Sequence, residues 1–490
     1  MNVGKKIIPI LLGPSVFLLM QLIGAPSSMP PLAFQVLAVT FWVAIWWVTE
    51  AIPMAVTAML PILLFPLTGA LDIKETTTAF GDKYIFLYLG GFLIAIAIEK
   101  WDLHKRIALT IIDLIGSNFV RIILGFMVAT AFLSMWISNT ATSVMMLPIA
   151  IAVAEQFKKS HDGKKNGKLD AIGKALMLAV AYSASIGGFS TLIGTPPNLV
   201  LAGVLEETYG VKISFFDWMK FGLPISITLI FICWKYLTLK AFPLKNVEFP
   251  GGRKAIRKMK KDLGKISKQE RVVLWVFIAT ATLWVTRSLL QKLIPNLDDT
   301  IIAMAAGTLL FILPSGKGKT LLVWKDAKRL PWDIILLFGG GLALARGFNE
   351  TGLAVWIASQ LTDLQGLSLI FLILVMVASV NFLTEITSNL ATTAMLLPVL
   401  APMALAFDLH PYMIMVSVTI SASCAFMLPV ATPPNAVVFG SGYLRIPDMV
   451  RTGFFMNLVS ILIISLLTFY MLPIIWDFDQ DAFPAAFMQK

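Results

Sequence analysis

Charge is what this chain of 490 residues is short of. Asp, Glu, Lys and Arg make up 14% of it, against about 25% in soluble domains. Hydrophobic residues reach 58%, which excludes an ordinary soluble domain. Cysteine is nearly missing: Cys233 and Cys424 both lie inside apolar segments. They offer no disulfide or zinc pattern and suit small buried side chains. The three histidines, His104, His161 and His410, fall at the edges of apolar blocks or in loops and suggest nothing catalytic. A P-loop, a zinc-protease string, a nucleophile elbow and a Gly-rich dinucleotide motif are all lacking. Neither an enzyme nor a nucleotide-driven pump is expected, and no cofactor. A signal peptide is not evident either, since the apolar run 7–24 after basic Met1–Lys6 lacks a small-residue cleavage site.

What is present is a series of apolar blocks, several of which reach the roughly 20 residues that a helix needs to cross a bilayer. The expected spans are 7–24, 33–49, 52–68, 83–99, 175–206 (broken), 216–240, 271–291, 298–314, 331–349, 411–440 (broken) and 449–473. Two more stretches, 120–157 and 368–406, read as pairs of half-helices that enter and leave on one side. The chain is thus expected to be an all-α integral membrane protein with about eleven transmembrane helices and two re-entrant hairpins. With that arrangement 30 of the 39 Lys and Arg residues fall on one side, including the runs KKSHDGKKNGK and GGRKAIRKMKKDLGK. Basic loops face the cytoplasm, so the amino terminus is expected inside and the carboxyl terminus outside. The net charge of +11 then reflects membrane orientation, and no nucleic-acid partner is expected.

The chain also resembles itself. YLGGFLIAIAIEKWDLHKRIA at 88–108 aligns with LFGGGLALARGFNETGLAVWIA at 337–358, and SNTATSVMMLPI at 138–149 with SNLATTAMLLPV at 388–399. Downstream, GTPPN at 194–198 matches ATPPN at 431–435. Five crossings separate corresponding points, and an odd number inverts one half relative to the other. The expected plan is an N-terminal helix (1–32), a first repeat (33–240), a basic cytoplasmic loop (241–270) and a second repeat (271–490). Inverted repeats with interrupted helices are the plan of secondary transporters, whose site lies at the repeat interface.

The repeated motifs carry the expected chemistry. Ser138-Asn139-Thr140 and Ser388-Asn389-Leu390 sit mid-way along their apolar stretches, where polar groups are costly unless paired. At a hairpin tip they offer hydroxyl, amide and helix amino-terminal donors to an anion, and free carbonyl oxygens to a hard cation such as sodium. Ser134 and Thr384 precede the tips by four residues, one helical turn away on the same face, and can complete a cation shell. In each TPPN string two prolines force the preceding residue out of the helix and expose carbonyls. Gly194 and Ala431 are small enough to let an ion or a tip approach, and Asn198 and Asn435 can cap the next half-helix or reach the substrate. Three carboxylates lie in apolar context. Glu50 and Asp333 fall near helix ends, where a structural role at the membrane interface is expected. Glu385, beside the second tip, can attract a cation, carry a proton or pair with a neighbour. Arg346 is expected to snorkel.

On WWVTEAIPMAVTAMLP at 46–61, both SN tips, both TPPN breaks and SCAFMLPVATPPNAVV at 423–438, the chain resembles the divalent-anion:sodium symporters, which include sodium-coupled dicarboxylate and citrate carriers. The resemblance spans nearly the whole chain. It implies an elevator mechanism, with a transport domain carrying both hairpins against a scaffold that forms a homodimer in the cell (inner) membrane. It implies one sodium site from Ser134, Ser138, Asn139 and Gly194, and a second from Thr384, Ser388, Asn389 and Ala431. Substrate carboxylates would meet Ser138, Asn139, Thr140, Ser388 and Asn389, with Thr195, Pro196, Thr432 and Pro433 lining the site. The implied function is sodium-coupled symport of C4-dicarboxylates such as succinate, malate or fumarate. Sodium-independent exchange, carriage of citrate or another dianion, and an anion channel are the alternatives. One departure stands out: the bacterial dicarboxylate pattern is SNT at both tips, and the second tip here has Leu390.

Overall fold

The computed structural model describes residues 7–116, 118–159, 167–244, 252–316, 318–361 and 368–488. Met1–Lys6, most of the KKSHDGKKNGK run with His161, and 245–251 lie outside the described residues. Among those described the protein is all helix, and the only bridge is an isolated one between Pro314 and Thr320.

After α1 (Ile7–Ile23) the first half comprises α2 (Pro31–Thr49), α3 (Met54–Thr57), α4 (Leu60–Thr68), α5 (Ile73–Thr78), α6 (Lys83–Lys100), α7 (Leu103–Ile115), α8 (Phe119–Ser134), α9 (Asn139–Lys159), α10 (Gly167–Gly188), α11 (Pro196–Tyr209) and α12 (Phe215–Tyr236). A basic helix α13 (Gly252–Asp262) follows. The second half comprises α14 (Lys268–Leu290), α15 (Asp299–Ile312), α16 (Trp324–Ala327), α17 (Trp332–Glu350), α18 (Leu353–Leu361), α19 (Leu369–Leu383), α20 (Asn389–Ala406), α21 (Pro411–Ala422), α22 (Pro433–Phe439) and α23 (Ile446–Trp476). The run α6 to α12 is matched, element for element, by α17 to α23.

Local chemistry explains many of the boundaries. Asp72 and Ser267 make capping boxes with Glu75 and Glu270, which satisfy orphan amides at both ends of the motif. Ser214 caps α12 through the Asp217 amide, and Asn118 caps α8 through that of Arg121. The sequence boundaries hold to within a few residues for most of the long apolar helices, but α10 begins eight residues before the expected 175 and the expected span 52–68 is divided into α3 and α4. Stretches expected to be loops contain α7, α13, α16 and α18. In α7 the buried face is Leu103, His104, Ala108, Leu109 and Ile112, with charged residues on the rest, a pattern too polar to stand out as a membrane block. The expected loop 241–270 holds α13, whose Arg253, Arg257 and Lys260 all reach Asp113 of α7. Burial pushes the Asp113 carboxyl up, but those three cations outweigh it and hold the pKa below the usual carboxylate range.

Among the described residues, eight helical stretches are long and apolar enough to cross a membrane, including the second arms α9 and α20 of the two expected hairpins. Six shorter apolar helices, such as α15 and α21, fall below that length. Helices in membranes pack through small residues, and the shared Gly-rich segment does this across the halves. A Cβ on Gly90 of α6 would lie 2.6 Å from the Ala303 backbone of α15, and one on Gly340 of α17 would lie 2.4 Å from the Ala58 carbonyl after α3. Each half therefore lends its Gly-rich helix to the other.

Candidate functional site

Both SN strings sit where two helices meet at a turn. In the first, α8 ends at Ser134 and α9 begins at Asn139; in the second, α19 ends at Leu383 and α20 begins at Asn389. The Ala141 amide donates to Ser138 Oγ at 3.3 Å, while the Ser388 side chain caps nothing. In both TPPN strings the prolines stand at the first two positions of the following helix, where a missing N–H costs nothing and φ is already helical.

Beneath each tip the same three-part contact recurs. Ser134 Oγ lies 2.7 Å from both Asn139 Oδ1 and the Ala184 carbonyl. Thr384 Oγ1 lies 2.7 Å from Asn389 Oδ1 and 2.9 Å from the Ala422 carbonyl. Neither hydroxyl bonds back into its own helix, and both residues are fully buried. Ala184 and Ala422 are the centres of two Ser-Ala-Ser strings at 183–185 and 421–423. That recurrence was the signal for these two carbonyls, which reading by side-chain type passes over. The Gly194 carbonyl completes the first group. With its amide turned over, Asn139 would donate to Ser134 Oγ at 2.7 Å, Ala184 O at 3.1 Å and Gly194 O at 3.2 Å. With the amide oxygen inward, the same four positions are all oxygen, the ligand type that a hard cation takes. The close approach needs glycine: a Cβ at Gly194 would stand 2.3 Å from the Gly188 carbonyl and 2.9 Å from that of Ser134.

Above the tips lies a cavity of about 910 Å³. Ser138, Asn139, Thr140, Ser388 and Asn389 line it, as do Thr195, Pro196, Thr432 and Pro433. All nine expected substrate contacts thus share one space. Gly194 and Ala431 also reach it, whereas Ser134 and Thr384 do not line it. The helices α9, α11, α20 and α22 all begin at this cavity; α9 and α20 bring amino-terminal amides there, whereas α11 and α22 open on two prolines that have none. Leu390 lines the cavity opposite in kind to Thr140, joined by Ile386, Val430 and Leu337.

The rest of the lining differs from expectation. Val48, Thr49 and Glu50 at the end of α2, Met54 and Ala55 of α3, Tyr88 of α6 and Asp333 at the start of α17 line the same cavity. Glu50 and Asp333 therefore share the cavity with the tips; their place at helix ends is as expected, but the helix ends meet at the cavity. Glu385 is the converse. It is 3% exposed and does not line the cavity. Its Oε1 accepts from the Phe426 and Met427 amides at 2.8 and 2.9 Å and from Asn457 Nδ2 at 2.7 Å, and its Oε2 from the Leu428 amide at 3.0 Å. Of its three expected roles, the structure places it as the partner of its neighbours. Asn198 and Asn435 also turn away from the cavity, donating to Phe189 and Thr191 carbonyls and to Ala425 and Leu428 carbonyls. Arg346 pairs with Glu207 through two bonds of 2.6 and 2.8 Å. His104 contacts the Ile98 carbonyl and His410 caps α21. Both cysteines are free and buried.

Residues 4–476 match the family described as the sodium:sulfate symporter transmembrane region. The chain is similar to proteins named sodium-dependent dicarboxylate transporter SdcS. The one from Staphylococcus saprophyticus is 44% identical over 485 residues, 98% of this chain and 93% of that protein. The one from Staphylococcus aureus USA300 is 44% identical over 481 residues, covering 97% and 92%. Among solved structures, Neisseria gonorrhoeae MtrF, from a class of antimetabolite efflux pumps, aligns with a TM-score of 0.55 at 14% identity, covering 83% of this chain and 85% of that one. The Alcanivorax borkumensis YdaH transporter aligns with the same score and identity, covering 83% and 87%. These two likenesses concern the fold alone.

Proposed function

The chain belongs to the sodium:sulfate symporter transmembrane family, and we propose from that premise that it is a secondary transporter coupling sodium to the movement of C4-dicarboxylates. The observation that carries this reading is the duplicated contact of hydroxyl, tip asparagine and helix-end carbonyl beneath one cavity. Two oxygen groups, one per half, flank a space lined by hydroxyls, amides and helix amino termini. In this reading Ser134, Ser138, Asn139 and Gly194 hold one sodium, and Thr384, Ser388, Asn389 and Ala431 a second. The dicarboxylate bridges the tips through Ser138, Asn139, Thr140, Ser388 and Asn389. Thr195, Pro196, Thr432 and Pro433 form its floor.

The two halves are inverted repeats, with 119–159 and 369–406 as re-entrant hairpins and the amino terminus in the cytoplasm of a cell (inner) membrane. The hairpins move with α10, α11, α21 and α22 against a scaffold that pairs as a homodimer, in an elevator mechanism. The printed names of the SdcS proteins support a dicarboxylate as cargo. The family description names sulfate, but a cavity of about 910 Å³ suits a larger anion.

Uptake of labelled succinate into proteoliposomes, with and without an inward sodium gradient, is the test. Uptake that ignores sodium would remove the coupling. Counterflow in sodium-free buffer would then support exchange, and sulfate competing better than succinate would reassign the cargo.

A further inference from the structure

The end of α11 and its link to α12 are bonded to their surroundings along much of their length. Glu206 pairs with Lys83 at 2.8 Å. Glu207 accepts two bonds from Arg346, of 2.6 and 2.8 Å. Thr208 Oγ1 accepts from Asn349 at 3.2 Å, and the Phe215 amide donates to Asp299 at 2.8 Å. These partners stand on α6, α15 and α17, none of which belongs to the moving set proposed above. Tyr209 does the opposite: it donates to the Ala401 carbonyl of α20 at 2.9 Å, inside that set. Neighbouring residues thus bond across the border and within it.

The cations are themselves held in place. Arg346 also donates to the Glu75 carbonyl of α5, and Lys83 lies 3.8 Å from Asp298, the cap of α15. The side chains of the two ion pairs are 19–29% exposed, so salt screens them less than an open surface pair. The second half offers no counterpart. Its link after α22 reads GSGYLR at 440–445, without a carboxylate. Tyr443 packs on Gly173 of α10, and among the described residues no hydrogen bond or ion pair joins this link to α6, α15 or α17.

Position along α17 gives the contact its meaning. The cavity reaches α17 at Asp333, and Arg346 stands about 20 Å farther along at a rise of about 1.5 Å per residue. On the orientation proposed above, Asp333 marks the cytoplasmic end and Arg346 the outer end. The cavity therefore lies at the cytoplasmic end while the outer end is bonded. A slide of two helical turns, about 11 Å, carries these groups out of reach of one another.

We propose that the Glu206–Lys83 and Glu207–Arg346 pairs form a one-sided latch that holds the moving set at the cytoplasmic end of its stroke. The latch regulates the transport proposed above, and the inference rests on that reading. Outward movement breaks both pairs and inward movement remakes them. With no equivalent at the other end, the empty protein rests with its cavity toward the cytoplasm.

The experiment uses the full chain in two arms. In detergent, hydrogen exchange is followed by mass spectrometry on peptides containing the Phe215 amide; where closing outpaces exchange, the rate follows the fraction released. Glu206→Gln with Glu207→Gln should speed that exchange roughly five-fold. Glu207→Arg and Arg346→Glu should each speed it alone, and the two together should bring it back toward wild type. In proteoliposomes, Thr208→Cys with Asn349→Cys should lose sodium-driven succinate uptake on oxidation and regain it on reduction.

Exchange unchanged by the glutamine pair overturns the latch even where the cross-link stops uptake, because the set then moves without being held by charge. Failure of the reversed pair to recover identifies packing and also overturns it. Full uptake by the cross-linked protein overturns the latch and the moving-set reading together. A wild-type protein that takes up no succinate overturns the cargo reading alone, and the exchange rates then judge the latch.

Discussion

The two broken helices share their ends and differ in what holds them open. Both run through Ser-Ala-Ser and resume at Thr-Pro-Pro-Asn. The first stays helical to Gly188, three residues beyond its Ser185, and Thr191 then ties the break together. The Thr191 hydroxyl donates to the Met135 carbonyl and accepts from the Gly194 amide. The second leaves the helix at Ala422, within its Ser-Ala-Ser, and has no such threonine. Three amides freed by that early ending, those of Phe426, Met427 and Leu428, all go to Glu385. The residue at Glu385's place in the first half is Met135, which has no acceptor strong enough for that task. The contacts at Ser134 and Thr384 are nonetheless almost superimposable in kind and length. Contacts beneath the tips are duplicated, whereas the supports behind them have diverged.

The equivalence of the tips can be broken most forcefully at the asparagines. Asn139→Ala or Asn389→Ala should each reduce sodium-driven uptake to background with expression intact; substantial uptake by either variant would show that only one half carries the function. The divergence of the supports is sharpened by Glu385→Gln, which puts a donor where amides already point. It should lower unfolding stability by about 3 kcal/mol, whereas Met135→Leu should cost less than about 1.5 kcal/mol. Equal losses in chemical denaturation would deny Glu385 its special place. At the breaks, Gly194→Ala should cost about 1–3 kcal/mol through overpacking against the Gly188 carbonyl and raise the sodium requirement. Ala431→Gly should change the same sodium titration little. The smallest effect belongs to the tip that departs from symmetry. Thr140→Val should weaken succinate binding by a factor of roughly ten or less, the worth of one hydroxyl bond, and Leu390→Val should alter it less. Matching shifts in the succinate KM would mean the cargo does not distinguish the two tips.

Much of this was legible in the chain. The long helices, both tips and both breaks announce themselves because each depends on local pattern: an apolar run, a polar pair within it, two prolines. The nine cavity residues of the tip wall follow from those motifs. The rest of the lining does not, because Glu50, Tyr88 and Asp333 meet only after three helices from two halves have packed. The Ala184 and Ala422 carbonyls were hidden for another reason, since every residue has a carbonyl and its exposure depends on where a helix stops. Glu385 shows the limit most clearly. Its neighbours in sequence point to the tip, yet its bonds go to amides some 41 to 43 residues away.

The exchange of Gly-rich helices between halves has a temporal consequence. α6 is synthesised more than 200 residues before the Ala303 segment on which Gly90 closes. At 5–20 residues per second, translation leaves that face waiting for roughly 10–40 s. The first half cannot finish assembling on its own, and a chain stopped before α15 would leave the membrane holding an open seam that quality-control proteases could recognise. The two halves supplied as separate polypeptides should meet this requirement only if both are present together, so split-gene co-expression would reveal whether the waiting time is tolerated or is an obligatory order of assembly.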